Sequence, residues 1–248
     1  MAKKTEGNIS MFDLEDRSSL APLAERMRPT SLREFLGQSH IAEDGSLLRR
    51  AIMLDRLGSC IFWGPPGCGK TTLANIIANS TSGSFVKLNA VNSGVSDVKR
   101  VGEEAAERLR MYGKKTYLLL DECHRFNKTQ SDSLLPLIEN GTIIFIGSTT
   151  ENPFASMTPA IVSRCRVFEF KRLTEETVKK ALKNALTDKK RGLGEYNAEV
   201  EEAALDHIAA MSGGDMRVAY NALELAVLTT PPTDGVVKVT LKDAEQSI

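Results

Sequence analysis

The stretch Cys60-Ile61-Phe62-Trp63-Gly64-Pro65-Pro66-Gly67-Cys68-Gly69-Lys70-Thr71-Thr72 decides the fold. A short apolar run ends at a glycine-rich loop, and a helix-like segment follows over 70–79. Gly64, Gly69, Lys70 and Thr71 fit the spacing G-x4-G-K-[ST], which carries meaning only between a strand and a helix; the pattern supplies both. Glycines let successive N–H groups turn inward around a polyphosphate. The helix behind the loop adds its positive N-terminal end. Lys70 would neutralise phosphate charge, and the Thr71 hydroxyl would ligate Mg²⁺. The candidate ATP-contacting residues are Gly64, Pro65, Pro66, Gly67, Cys68, Gly69, Lys70, Thr71 and Thr72, with Cys68 at a free position of the motif.

Outward from this loop, apolar strands alternate with helices. Strands are expected over 60–63, 85–88, 117–120, 143–146 and 167–170, and helices over 70–79, 95–111, 128–139 and 158–163. That alternation predicts a five-stranded parallel α/β sheet covered on both faces. Upstream, SLREFLG (31–37) reads as a short helical stretch stopped by Gly37. After Thr174 only helices are expected, over 175–186, 199–211, 216–228 and from 240, separated by the glycine turns RGLGE and SGGD. The expected organisation is a polar tail over 1–19, a nucleotide-binding α/β domain over 20–173 and a small all-helical lid over 174–248.

Asp121 and Glu122 follow four apolar residues, Tyr117–Leu120. A carboxylate at the tip of a buried strand lies in the crevice where α/β sheets bind ligands. Asp121 is the candidate for the Mg²⁺ shell. Glu122 is the candidate for orienting or deprotonating an attacking water. Phosphoryl transfer asks mainly for such positioning and charge.

Composition narrows the rest. The chain has 248 residues, 42% of them hydrophobic and 26% charged, which excludes disordered and collagen-like chains. Lys+Arg and Asp+Glu each count 32, so no global basic field exists and any contact with DNA must come from a local patch or an assembly. No apolar run reaches the ~20 residues of a membrane span. The N-terminus has no apolar core of a secretory signal, so a cytoplasmic protein is expected. Cys60, Cys68, Cys123 and Cys165 form no C-x-x-C pair and read as reduced thiols.

The loop GPPGCGKTT, the strand LLLDE and the triplet Ser163-Arg164-Cys165 resemble an AAA+ ATPase of the clamp-loader type. Three further stretches, PLAERMRPTSLREFLGQSH (22–40), DECHRFNKTQSD (121–132) and IGSTTENPF (146–154), resemble the replication-associated recombination protein A family, which is related to the eukaryotic Werner-helicase-interacting ATPase. The resemblance implies that Thr150 is the polar sensor of the γ-phosphate, with Thr149 and Asn152 as rivals. It implies that Arg164 is an arginine finger acting on a neighbouring subunit, and that Arg217 is a second sensor on the lid. It places Ile41 and the Arg28-Pro29 region beside the adenine. It also makes His124, Arg125, Phe126 and Lys128 candidates for facing DNA or a central pore, as against capping and packing. Asn89 would restrain Glu122, while His40 and His207 read as structural.

By the same resemblance the protein is expected to hydrolyse ATP at stalled or damaged replication forks, near the nucleoid. Its expected partners are single-stranded or forked DNA, further copies of itself and a single-strand-binding protein. Asn8-Ile9-Ser10-Met11-Phe12 resembles a peptide that binds the sliding clamp. Family members are longer and carry a C-terminal assembly domain, so the lid is expected to be shortened here. The alternatives are a clamp-loader subunit, a RuvB-like branch-migration motor, or a slow ATP-gated adaptor.

Overall fold

A computed structural model describes residues 21–248; the 1–19 tail and Asn8–Phe12 lie outside the described residues. The chain forms two compact units, one of Pro29–Thr174, the other of the described residues through Arg28 together with Glu175–Ile248.

The first unit is built on five parallel strands: β1 (Cys60–Trp63), β2 (Ser84–Asn89), β3 (Thr116–Asp121), β4 (Ile143–Thr149) and β5 (Arg166–Glu169). Their order across the sheet is β2-β3-β4-β1-β5. Period-two alternation splits the strands between two cores. Cys60 and Phe62 join Tyr117, Leu119 and Ile146 against the helices Leu47–Met53 and Lys70–Ser80. Ile61 joins Leu118, Leu120 and Phe145 against the helices Val95–Tyr112 and Lys128–Glu139. Both faces are thus buried, which is why the strands read as unbroken apolar runs rather than as an alternation.

The helices Lys70–Ser80, Val95–Tyr112 and Lys128–Glu139 fall where the sequence puts them, because each has a clear start. Asn127 caps the third, accepting from Gln130 N at 2.9 Å while the Gln130 side chain accepts from Asn127 N. The stretch 31–37 departs from expectation: it forms turns, not a helix. Phe35 lies against the position that a Cβ on Gly69 would occupy. Gln38 then takes a left-handed φ of 56° and starts the short helix Ser39–Ala42.

The second unit holds the helices Leu23–Arg26, Glu175–Thr187, Glu202–Met211, Met216–Thr229 and Leu241–Ser247. It also corrects two expectations. Leu23–Arg26 belongs here and not to the α/β domain: Leu23 N and Arg26 Nη2 both donate to the Glu224 carboxylate, at 2.9 and 2.7 Å. The unit is also not purely helical. β6 (Ala198–Val200) pairs in parallel with β7 (Val237–Val239), where Val237 and Val239 are buried. The helix expected from 199 therefore begins at Glu202.

Candidate nucleotide site

The strand order sets the site. Trp63 is in register with Thr149, and Asp121 with Ser148, so the tips of β1, β4 and β3 lie side by side at one sheet edge. Strands are ~4.8 Å apart, so the tip of β4 separates the glycine-rich loop from Asp121 and Glu122 by about one strand width on each side.

Gly64 opens the loop where β1 is wedged between its neighbours. Its N donates to Thr149 O at 3.2 Å, and Phe170 N donates to Trp63 O at 2.7 Å. With φ at 149°, a Cβ on Gly64 would stand 2.1 Å from Phe170 O, so glycine is required there. Gly67 and Gly69 also have positive φ, 66° and 103°. Gly69 is the N-cap of helix Lys70–Ser80 and carries no side chain to cap the first-turn amides. Those amides, the helix dipole and the turned-in loop together suit an anion. Lys70 is 7% exposed, and its ammonium donates to Gly64 O and Pro65 O at 2.7 and 2.6 Å. Cys68 is buried, with its thiol donating to Pro65 O. Thr71 and Thr72 are half-buried on the first turn. Thr71 and Asp121 offer a hydroxyl and a carboxylate, the hard oxygen donors that Mg²⁺ takes.

A residue that sequence reasoning missed fixes this loop. Gln38, 6% exposed, donates from Nε2 to Cys68 O and Lys171 O at 3.2 and 2.6 Å, and its Oε1 accepts from Lys171 N at 2.9 Å. No motif spacing signals it; a glutamine following a glycine in a polar stretch looks like surface. His40 follows the expected structural role, with Nε2 2.8 Å from Glu169 O. Ile41 is half-buried against the core that underlies the loop.

Glu122 is left-handed, with φ 54° and ψ 40°. For a residue with a Cβ this conformation costs roughly 1–2 kcal/mol, and such strain concentrates at functional positions. The chain then forms a 3₁₀ turn, Cys123–Arg125. The turn carries His124 inward, its side chain only 6% exposed. Nδ1 of His124 lies 2.8 Å from Thr149 Oγ1, and Nε2 lies 3.7 Å from Glu122 Oε2 and 3.5 Å from Glu151 Oε1. Phe126 packs into the core, whereas Arg125 and Lys128 are exposed. Of the four residues suggested for an outward role, His124 and Phe126 therefore turn inward.

The polar residues after β4 separate. Thr149 is buried on His124, Thr150 is exposed one residue beyond the strand, and Asn152 caps helix Pro153–Ser156 by accepting from Phe154 N. Asn89 accepts from Val91 N at 2.9 Å within its own turn. Arg164 donates to Ala160 O at 2.8 Å and pairs with Glu139. Arg217 lies in the second unit, its guanidinium 61% exposed beside Asp215. None of the four cysteines forms a disulfide among the described residues. Burial raises the thiol pKa values of Cys60 and Cys123 and pushes Cys165 up to about 12, which keeps these thiols protonated and unreactive.

Residues 60–173 match the family model "ATPase family associated with various cellular activities (AAA)", and residues 194–248 match the "AAA C-terminal domain". The chain is 46% identical over 230 residues to Replication-associated recombination protein A of Bacillus subtilis, across 92% of this chain and 53% of that protein. The chain belongs to the AAA ATPases, in the replication-associated recombination protein A family. This AAA ATPase is also 43% identical to ATPase WRNIP1 of Dictyostelium discoideum, over 85% of the chain and 24% of that protein. Among solved structures it is similar to the Thermotoga maritima RuvB Holliday junction branch migration motor, with a TM-score of 0.71 and 26% identity over 90% of this chain and 72% of that one. The AAA ATPase spans about half the length of the recombination protein A relatives it matches. Among the described residues no helix is long and apolar enough to cross a membrane.

Proposed function

We propose that this AAA ATPase hydrolyses ATP in response to DNA at stalled or damaged replication forks. The observation that carries the reading is the shared sheet edge: phosphate loop, β4 tip and Asp121-Glu122 on neighbouring strand ends, in a chain 46% identical to a replication-associated recombination protein. In this reading the loop amides and Lys70 bind the phosphates. Thr71 and Asp121 would hold Mg²⁺, which when bound offsets charge on the β- and γ-oxygens. Glu122 orients and deprotonates the attacking water, while Thr150 holds the γ-phosphate or that water. Arg164 would act on a neighbouring copy and Arg217 would sense the phosphates. Ile41 and the Arg28-Pro29 region would flank the adenine.

The net charge is zero, so DNA contact needs a local patch. The exposed Arg125 and Lys128 are the proposed contributors. Single-strand-binding protein and, through Asn8–Phe12, the sliding clamp are further proposed partners; a cytoplasmic, nucleoid-associated location goes with them. The test is ATP turnover against protein concentration, with and without forked or single-stranded DNA. Turnover that DNA leaves unchanged at every concentration would sink the DNA-coupled reading and favour an ATP-gated adaptor.

A second reading, a branch-migration motor, is favoured by the similarity to the Thermotoga maritima protein. Stimulation by a four-way junction in preference to a fork would select it.

A further inference from the structure

We infer that His124 is a positioning residue for Glu122, joining that carboxylate to the tip of β4; this rests on the reading of Glu122 as the residue that activates water. Neither motif spacing nor the family's phosphate and water contacts assigns His124 a task. Its geometry does.

Three groups meet its ring. Thr149 Oγ1 stands 2.8 Å from Nδ1, Glu151 Oε1 stands 3.5 Å from Nε2, and Glu122 Oε2 stands 3.7 Å from Nε2. The side chain is 6% exposed, so its ring nitrogens depend on protein partners. The distances favour one arrangement of protons. Glu151 N donates to Thr149 Oγ1 at 3.0 Å, so the hydroxyl already accepts there and is free to donate its own proton. The nearest acceptor for it is Nδ1 of His124, since Glu151 O is farther away at 3.4 Å. With Nδ1 accepting, neutral imidazole carries its proton on Nε2. The two carboxylate oxygens near Nε2, at 3.5 and 3.7 Å, can only accept.

The consequence falls on Glu122. Its backbone is fixed in the left-handed region, but its side chain is 39% exposed and has several rotamers open to it. Among the described residues, His124 is the one basic side chain this near its carboxylate. An N–H held by a buried threonine biases that carboxylate toward the sheet edge. Glu151 stands at nearly the same distance and competes for the same N–H. Thr149 precedes Thr150, the proposed phosphate sensor, so a shift of the β4 tip is passed through one ring to Glu122. A misplacement of about 1 Å at such a group can cost ~10²-fold in rate.

The test separates a positioning role from a packing one. His124→Gln can extend an amide N–H toward Glu122; His124→Asn retains a polar atom near Thr149 but falls short of the carboxylates; His124→Phe keeps the shape alone. ATP affinity is read by titration with a fluorescent ATP analogue. Hydrolysis is read in single turnover with radiolabelled ATP and enzyme in excess. The expected result is unchanged affinity in all three, a roughly tenfold or greater loss of rate in Asn and Phe, and most of the rate kept in Gln. In a Glu122→Gln background, His124→Asn should cause no further loss, because the group it positions is already disabled. Equal losses in Gln and Asn, weakened affinity in place of slowed hydrolysis, or a full additional loss on Glu122→Gln would each overturn the inference. Parent-like hydrolysis by Glu122→Gln alone would overturn the reading of Glu122 itself, and this inference with it.

Discussion

Gln38 and Lys171, 133 positions apart, bond reciprocally: the glutamine amide donates to Lys171 O at 2.6 Å and its oxygen accepts from Lys171 N at 2.9 Å. One side chain thereby imitates the exchange between paired strands and extends the sheet edge beyond β5. The same amide also donates to Cys68 O inside the glycine-rich loop. The loop is therefore anchored from below at a point that no residue of the motif supplies.

Gln38→Leu removes all three bonds and leaves the buried Cys68 carbonyl without this partner, at about 1–3 kcal/mol for that group. The expected outcome is a lower unfolding midpoint in urea and ATP binding weakened by roughly tenfold or more. A variant with both quantities at parent values would show that the loop holds its shape without the anchor.

Lys70→Ala should abolish tight ATP binding, while Glu122→Gln should keep binding and stop turnover. In the proposed reading the lysine acts on charge present in the bound substrate, and the glutamate acts only on the water, which is activated as the transition state forms. Isothermal titration with ATP and Mg²⁺, beside a phosphate-release assay, separates the two. Parent affinity in Lys70→Ala would refute the role given to the lysine.

Glu122 offers a contrast between stability and activity. Both Glu122→Ala and Glu122→Gly remove the carboxylate and should be inactive. At a φ of 54°, however, alanine keeps the left-handed penalty and glycine does not. Glu122→Gly should therefore be about 1 kcal/mol more stable than Glu122→Ala, a shift of roughly 3 °C in Tm for a unit of this size. Calorimetry checks it, and a lower Tm for the glycine variant would remove the claim of strain.

How much of this was legible in the sequence depends on whether a residue's partners are near it in the chain. The strands and long helices were readable because each carries its own signal: four apolar residues before Asp121, or Asn127 three positions before Gln130. The positions of the glycine-rich loop after β1 and of Asp121-Glu122 at the end of β3 were readable for the same reason. Gln38 was not, since its partners are 30 and 133 residues away. His124 was visible as a residue but not in its direction, because the 3₁₀ turn that carries it inward follows from a left-handed Glu122. Leu23–Arg26 looked like the start of the α/β domain until its long-range bonds to Glu224 placed it. The ribbon of β6 and β7 escaped because three-residue strands give almost no period to detect.

Asp55 gives the pH dependence a sign. The hydroxyl of Ser82 at 2.6 Å, joined by that of Tyr117 at 2.8 Å, holds its carboxyl below the ordinary range, against a smaller opposing effect of burial. A folded-state value below the unfolded one contributes stability above pH ~4, and that contribution is lost as pH falls through the folded value. Asp55→Asn should be less stable than the parent at pH 7, with the gap closing as pH falls below the ordinary carboxylate range through the folded value. Asparagine tolerates the φ of 49° at this position, so the change isolates the charge. Urea midpoints measured across that range decide it; a gap constant with pH would mean the carboxylate's ionisation is not involved.

The pairing of Arg164 with Glu139 sets an exchange equilibrium for any assembled particle. The guanidinium is already engaged within its own chain, so a phosphate offered by a second copy would have to displace a carboxylate. The two side chains are 38% and 48% exposed, and pairs of that kind contribute only ~0–1 kcal/mol. The toll on displacement is therefore small, at most about a fivefold discount on the incoming contact. In the proposed reading a solitary copy keeps its arginine paired with Glu139, and a neighbour's nucleotide would recruit it in exchange for that pair.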